Sequence, residues 1–521
     1  MAGPEGFEPS TPGLEGRCFG PDDNILHRSI QTELRAQLPE YNIAFLEFWL
    51  DKKKKITSLL YAMVMVTRKR LFGTSGIRGI PGKDLTLDFL TEISQAIGTY
   101  FKEGPALVGY DGRDSSPTIA KAISAGLMSV GLDVGESKLL PTPALQFYVR
   151  KMNYKVGVMI TASHNPSIYN GVKVSGADGI DVTRDEEKII EDIFYEKKFN
   201  LANWKTIGTS IMETKVISSY IDGIISHINK DKIQKKNFQV IVDPGNGAQS
   251  IAAPYMLEEL NCRPISLNAQ VDGSFPGRGA EPTPEVLSSL SEAVKGYGAD
   301  MGVAYDGDGD RSLFCDEKGI VHWGDRSGAL LVEYILSKNP DATIVTTVSA
   351  SKVIDDIVEK HKAKIFKTKV GSVDVSNAMI DHDALFGLEE NGGCFFTPHI
   401  PVRDGAMATA LILEALANSK RPLSEMLSNL PRYFQKKTKF ECAKELMPRL
   451  MKKIEGQIDR DIERIDGLKI WEDTNSWILL RPSGTEPVFR VFAESNKKSK
   501  LEKMITEYSD LVKDALSKQK N

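Results

Sequence analysis

The chain has 521 residues, 41% of them apolar and 26% charged, with a net charge of −4. That length suits three or four domains of roughly 150 residues, and the near-neutral balance excludes the broad basic field that nucleic-acid binders carry. Five scattered cysteines (Cys18, Cys262, Cys315, Cys394, Cys442) form no Cys-x-x-Cys pair. That argues against a zinc site or a disulfide framework and suits the reducing cytoplasm.

In chain order, residues 1–67 come first. Gly3 to Gly13 is rich in glycine and proline and shows no period. Tyr41 to Val66 is more apolar, but Asp51-Lys52-Lys53-Lys54-Lys55 cuts it, and neither half reaches the ~20 residues a membrane span needs. The opening lacks the basic-then-apolar pattern of a secretory signal. A poorly ordered extension is expected, with a membrane-surface anchor as the alternative. Met63 and Met65 stand just before the patterned chain begins near Lys69, which fits a gene start placed too early.

From Leu71 onward, short Val/Ile-rich strands alternate with helical patterns. Ala106–Tyr110, Val156–Ile160, Gln239–Val242, Met301–Tyr305, Thr343–Val348 and Ser476–Leu480 read as buried strands. Helical spacing runs through Ile119–Val130, Glu285–Gly296, Gly328–Ser337 and Ala406–Leu416. The alternation predicts βαβ units with largely parallel sheets. Ligands should then lie beyond the carboxyl ends of the strands. The polar connector Lys197–Thr214 and the turns near Gly319 and Leu430 divide the chain into units at 68–211, 212–318, 319–430 and 431–521. The last is lysine-rich and expected to be α+β. No short-period repeat is visible.

Four motifs follow strands: the Ser163 loop, Asp243-Pro244-Gly245-Asn246-Gly247, the Asp306 loop and Arg481-Pro482-Ser483-Gly484-Thr485. Asp306, Asp308 and Asp310 alternate with glycines, which let a tight loop turn three hard oxygen ligands toward one point, as a Mg²⁺ site requires. An EF-hand also spaces oxygens this way, but it needs glycine at the sixth position, where Arg311 stands. Ser163 follows Val156–Ile160 within Thr161-Ala162-Ser163-His164-Asn165-Pro166, with His164 and Lys173 able to position phosphate or move protons. A serine hydroxyl needs such help to act as a nucleophile. The Gly-x-Ser-x-Gly of serine hydrolases is absent. Arg481-Pro482-Ser483-Gly484-Thr485 offers a guanidinium, hydroxyls and a glycine backbone to a phosphate dianion. Glu389-Glu390-Asn391-Gly392 suits sugar hydroxyls or is a solvated turn. A serine phosphatase and a binding protein without turnover stand as rivals to a phosphoryl transferase.

With Phe72-Gly73-Thr74-Ser75-Gly76-Ile77-Arg78-Gly79, these loops occur in the order found in the α-D-phosphohexomutase family, which the chain resembles over residues ~69–515. The resemblance implies three similar mixed α/β domains and a C-terminal α+β domain around a central cleft. It implies a phosphoserine at Ser163, and one Mg²⁺ per subunit on Asp306, Asp308, Asp310 and the Ser163 group. Arg78, His164, Lys173 and Arg311 would line the reacting centre. Lys369, Glu389, Asn391, Arg481, Ser483, Gly484, Thr485 and Arg490 would hold substrate. The expected ligands are hexose phosphates and hexose 1,6-bisphosphate, with no nucleic acid or membrane, for a monomer or homodimer. Arg481-Pro482-Ser483-Gly484-Thr485 and Thr368-Lys369-Val370-Gly371-Ser372 resemble phosphoglucosamine mutases, and with a sugar loop that departs from the bacterial pattern the resemblance is to their archaeal type, with phosphomannomutase/phosphoglucomutase activity as the alternative. Asn391-Gly392-Gly393 stands where the bacterial pattern reads Ser-Gly-His, and His399 is the expected substitute for that histidine.

Overall fold

The apolar pentapeptides form the strands that carry the loops. In the computed structural model, Ala106–Tyr110, Val156–Ile160 and Met301–Tyr305 have the expected bounds, and Ser476–Pro482 extends past Leu480. The structure describes residues 70–73, 75–483 and 487–517. The expected N-terminal extension therefore lies outside the described residues, as do Gly484 and Thr485. From Leu71 the chain forms one compact unit.

Three of its four sheets repeat one pattern. In each, a central strand (Ala106–Tyr110, Gln239–Asp243 or Thr343–Thr347) pairs in parallel with neighbours on both sides. One neighbour, Val156–Ile160, Met301–Tyr305 or Phe386–Leu388, then returns as an antiparallel partner: Asn170–Ser175, Ser312–Asp316 or Cys394–Phe396. The sheets are thus mixed, where the sequence suggested largely parallel ones. The physical reason is loop length. Residues 161–169, 306–311 and 389–393 are too few for a parallel crossover, which needs about a dozen, but suffice for a hairpin. The serine, aspartate and sugar loops therefore occupy equivalent hairpin positions in three sheets.

The fourth sheet is wholly antiparallel, ordered Phe434–Glu441, Val488–Ser495, Ser476–Pro482, Leu468–Asp473, Ile462–Glu463. Helix Lys498–Ser517 packs on it through Leu501, Met504, Ile505 and Val512. Burial holds the loop-bearing strands in place. Val156, Val158 and Ile160 are fully buried, each contributing about 1.5–3 kcal/mol relative to exposure. Helix Gly405–Asn418 is buried on nearly every side, and its N-cap Asp404 accepts a hydrogen bond from the Met407 amide. Among the described residues, no helix is long and apolar enough to cross a membrane.

Candidate active site

Ser163 sits in the left-handed region, at φ 51°, which is uncommon for a residue with a side chain. The surrounding contacts determine it. Its amide donates to Thr161 Oγ1 at 2.8 Å, and Thr161 in turn donates to Asp111 Oδ2 at 2.7 Å. The buried Arg113 pairs with Asp111 at 3.0 Å and donates to the carbonyls of Ser163, Asn165, Pro166 and Tyr169 at 2.7–2.9 Å. One guanidinium thus satisfies much of the loop backbone. The Ser163 hydroxyl is left to donate to Asp306 Oδ2 at 2.9 Å, with His164 Nδ1 at 3.4 Å. Gly307 permits this approach, since a Cβ there would lie 2.7 Å from the Ser163 carbonyl oxygen.

The aspartate loop meets the serine loop at this point. Oxygens of Asp306, Asp308 and Asp310 lie within 4.8 Å of one another, and all three side chains are buried. Lys173 Nζ donates to Asp308 Oδ2 at 2.8 Å and to Asp310 Oδ2 at 3.2 Å. Thr142 Oγ1 donates to Asp308 Oδ2 at 2.6 Å. Asp308 Oδ1 and Asp310 Oδ1 are buried without hydrogen-bond partners. An unsatisfied buried acceptor costs about 1–3 kcal/mol. Burial and the neighbouring carboxylates push Asp306 well above the usual carboxylate range. Burial pushes Asp308 the same way, but Lys173 and Thr142 outweigh it and hold Asp308 low. Hard oxygens, unmatched lone pairs and mutual repulsion all fit a divalent cation.

Positive charge also gathers around the serine loop. Arg78 donates to Asn165 Oδ1 at 2.8 Å. Burial and the nearby Arg311 lower its proton affinity to about 10. Arg311, burial and Arg78 together hold the His164 imidazole well below its ordinary value. Crowded like charges of this kind are relieved by an anion, and a phosphoryl group has the required charge.

The sugar loop is stitched to the aspartate loop through backbone. Ser312 N donates to Gly392 O at 3.1 Å, and Arg311 bridges Gly393. Glu389 is buried beside this junction, and Asn391 Oδ1 accepts from Gly393 N at 3.1 Å. Glu390 turns the other way, to Ser349 and Lys437. Arg481 and Arg490 stand directly opposite each other on adjacent strands. Asp466 Oδ2 holds Arg481 at 2.9 Å and also accepts from Val370 N at 3.1 Å, next to the exposed Lys369. Ser483 N donates to Val488 O at 2.9 Å at the end of the Arg481 strand. The structure therefore brings Arg78, Ser163, His164, Lys173, the three aspartates, Arg311 and Glu389 around one centre. It places Lys369, Arg481 and Ser483 along a second edge. His399 joins neither group. Its ring stacks on Phe147 at 4.4 Å, lies against Tyr220 and His227, and is 3.5 Å from Asp404 Oδ2.

Comparison with known proteins matches four phosphoglucomutase/phosphomannomutase family models in order. Alpha/beta/alpha domain I covers residues 69–201, domain II 218–319, domain III 323–434 and the C-terminal domain 430–510. The chain belongs to the phosphoglucomutase/phosphomannomutase family. A phosphoglucosamine/phosphogalactosamine mutase from Sulfurisphaera tokodaii is 42% identical over 451 residues, covering 85% of this chain and 99% of the relative. A phosphoglucomutase/phosphomannomutase from Thermococcus kodakarensis is 39% identical over 454 residues, 86% and 99% of the two chains. A solved phosphoglucomutase/phosphomannomutase family protein from Burkholderia thailandensis superposes with a TM-score of 0.77 at 26% identity, covering 86% of this chain and 97% of that one.

Sequence reading of this family member missed several residues that build the site. Asp111 and Arg113 follow the strand Ala106–Tyr110, and their only signal is a charged pair at a strand end. Thr142 opens a helix and gives none. The Asp243-Pro244-Gly245-Asn246-Gly247 loop, which the sequence did place at a strand end with the other motifs, serves as a scaffold. Ala248 N donates to Gly307 O at 3.0 Å and Gln249 Nε2 to Gly309 O at 3.0 Å, which fixes the aspartate loop from behind. Arg403, 2.7 Å from Asp310 Oδ2, was unmarked in the sequence.

Proposed function

We propose that this protein is a phosphohexomutase that moves a phosphoryl group between O6 and O1 of an aldohexose, with glucosamine 6-phosphate and glucosamine 1-phosphate as the preferred pair. The observation that carries the reading is the Ser163 hydroxyl, 2.9 Å from Asp306 Oδ2 in a buried cluster of three aspartates with two unmatched oxygens.

Phosphorylated Ser163 gives its phosphoryl group to the free hydroxyl of a hexose monophosphate. The P–O bond to Ser163 breaks as the new P–O bond forms, leaving a 1,6-bisphosphate. That intermediate turns over in the cleft and returns its other phosphoryl group to Ser163. The hydroxyl that accepts phosphate loses a proton, and Ser163 gains one on leaving. His164, whose Nδ1 lies 3.4 Å from the Ser163 hydroxyl, is placed to exchange that proton. Lys173 stays protonated, because Asp308 and Asp310 outweigh its burial, and therefore acts as a fixed charge. Arg78 and Arg311 hold the moving phosphoryl oxygens. Glu389 and Asn391 take sugar hydroxyls, and Arg481, Arg490 and Lys369 hold the phosphate that does not react. Asp306, Asp308, Asp310 and the Ser163 group would hold one Mg²⁺, which when bound neutralises phosphoryl charge. We read four domains, at 68–211, 212–318, 319–430 and 431–521, the first three each supplying one hairpin loop. We place the enzyme in the cytoplasm, where unpaired thiols such as those of Cys262, Cys315, Cys394 and Cys442 persist.

The preference for glucosamine draws on the 42%-identical relative and on the Arg481 loop. A coupled assay with glucosamine, galactosamine, glucose and mannose 6-phosphates side by side should give the highest kcat/KM with glucosamine 6-phosphate. Turnover of glucose and mannose phosphates with none of glucosamine 6-phosphate would favour the phosphomannomutase/phosphoglucomutase reading instead.

A further inference from the structure

Arg403 ends the strand Ile400–Arg403, and its side chain is 7% exposed. Its Nη2 lies 2.7 Å from Asp310 Oδ2, and its Nη1 3.5 Å from Glu389 Oε2. One planar guanidinium therefore spans a carboxylate of the aspartate loop and a carboxylate of the sugar loop. The path of this side chain explains a glycine. A Cβ on Gly393 would sit 2.6 Å from Arg403 Cδ, 3.0 Å from Arg403 Cγ and 3.1 Å from Glu389 Oε2. Gly393 is not among the residues with positive φ. Space, and not backbone conformation, demands the glycine there. The sugar loop gives up a side chain at 393, and Arg403 fills the volume from the neighbouring strand.

We propose that Arg403 is a positioning residue for sugar recognition: anchored on Asp310, it orients the Glu389 carboxylate toward the substrate's hydroxyls. This rests on the phosphohexomutase reading. Removing one partner of a buried charge pair leaves the other without its fixed direction. Lysine would keep the charge but lose the fork that reaches two carboxylates at once. A bridge that served stability alone would affect melting and leave substrate affinity unchanged.

The test compares Arg403→Lys, Glu389→Gln and the double variant, each in the full chain with Mg²⁺ present. Three quantities are read: KM for glucosamine 6-phosphate, Ser163 phosphate occupancy by intact mass, and melting temperature. Arg403→Lys should raise KM roughly tenfold, with Ser163 phosphorylation intact and melting within a few degrees. The double variant should be no worse than the poorer single variant, because both act through one carboxylate. Gly393→Ala, which crowds Arg403 without removing it, should raise KM in the same direction. It carries the test alone if Arg403→Lys does not fold. An unchanged KM in Arg403→Lys or in Gly393→Ala, or losses that multiply in the double variant, overturns the proposal. Failure of the underlying reading would look different: the unaltered protein would itself show no turnover of any hexose phosphate.

Discussion

Ser163→Ala is expected to lower mutase turnover by about three to six orders of magnitude, the range seen when a nucleophile that acts as part of a unit is removed. The substitution takes away the only atom proposed to carry the phosphoryl group and replaces it with a methyl that cannot. It should leave the fold intact. The loop is held by the Ser163 amide on Thr161 and by Arg113 on four carbonyls, none of which uses the serine hydroxyl. Melting should therefore change little while the rate collapses. Steady-state assays on the purified variant decide the matter. Near-normal turnover would end the phosphoserine mechanism, and a large loss of melting temperature would mean that the hydroxyl is structural.

Loss of the cation should have a comparable effect. Exhaustive chelation should abolish turnover, and added Mg²⁺ should restore it. Asp308→Asn should cut turnover by roughly 100-fold or more and raise the Mg²⁺ needed for half-maximal rate, since it removes a charged ligand from the point where phosphoryl charge must be neutralised. The geometry predicts a second consequence. Lys173 loses its 2.8 Å ionic partner and keeps only Asp310, at 3.2 Å, as a carboxylate partner, so the variant should not recover fully even at saturating Mg²⁺. Activity that survives chelation would remove the metal from the account.

The parts legible in the sequence were those carried by local pattern. Apolar pentapeptides marked strands, and the glycine-spaced aspartates and the Thr161–Pro166 run marked loops at strand ends. The threefold recurrence of the hairpin was invisible, because it lies in strand pairing and not in residues. Asp306 and Ser163 share almost no local sequence yet occupy equivalent turns. Arg113 and Arg403 were missed for a related reason. Each acts across the fold, one holding a loop about fifty residues downstream, the other bridging two sheets, and a lone arginine carries no periodic signal. For His399 the sequence offers a histidine to replace the one missing from the sugar loop, but not the position of its ring. Four residue steps of extended chain lead from it to Arg403, roughly 13 Å, and its ring lies with Phe147 and Tyr220 instead.

The central claim is transfer through the serine with a bisphosphate formed between the two halves of the reaction. The direct measurement mixes stoichiometric Ser163-phosphorylated protein with hexose 6-phosphate in a single turnover, then resolves the products by mass. The account predicts hexose 1,6-bisphosphate appearing as the phosphate on Ser163 disappears, followed by hexose 1-phosphate. Free inorganic phosphate in place of the bisphosphate would contradict it and make the protein a phosphatase.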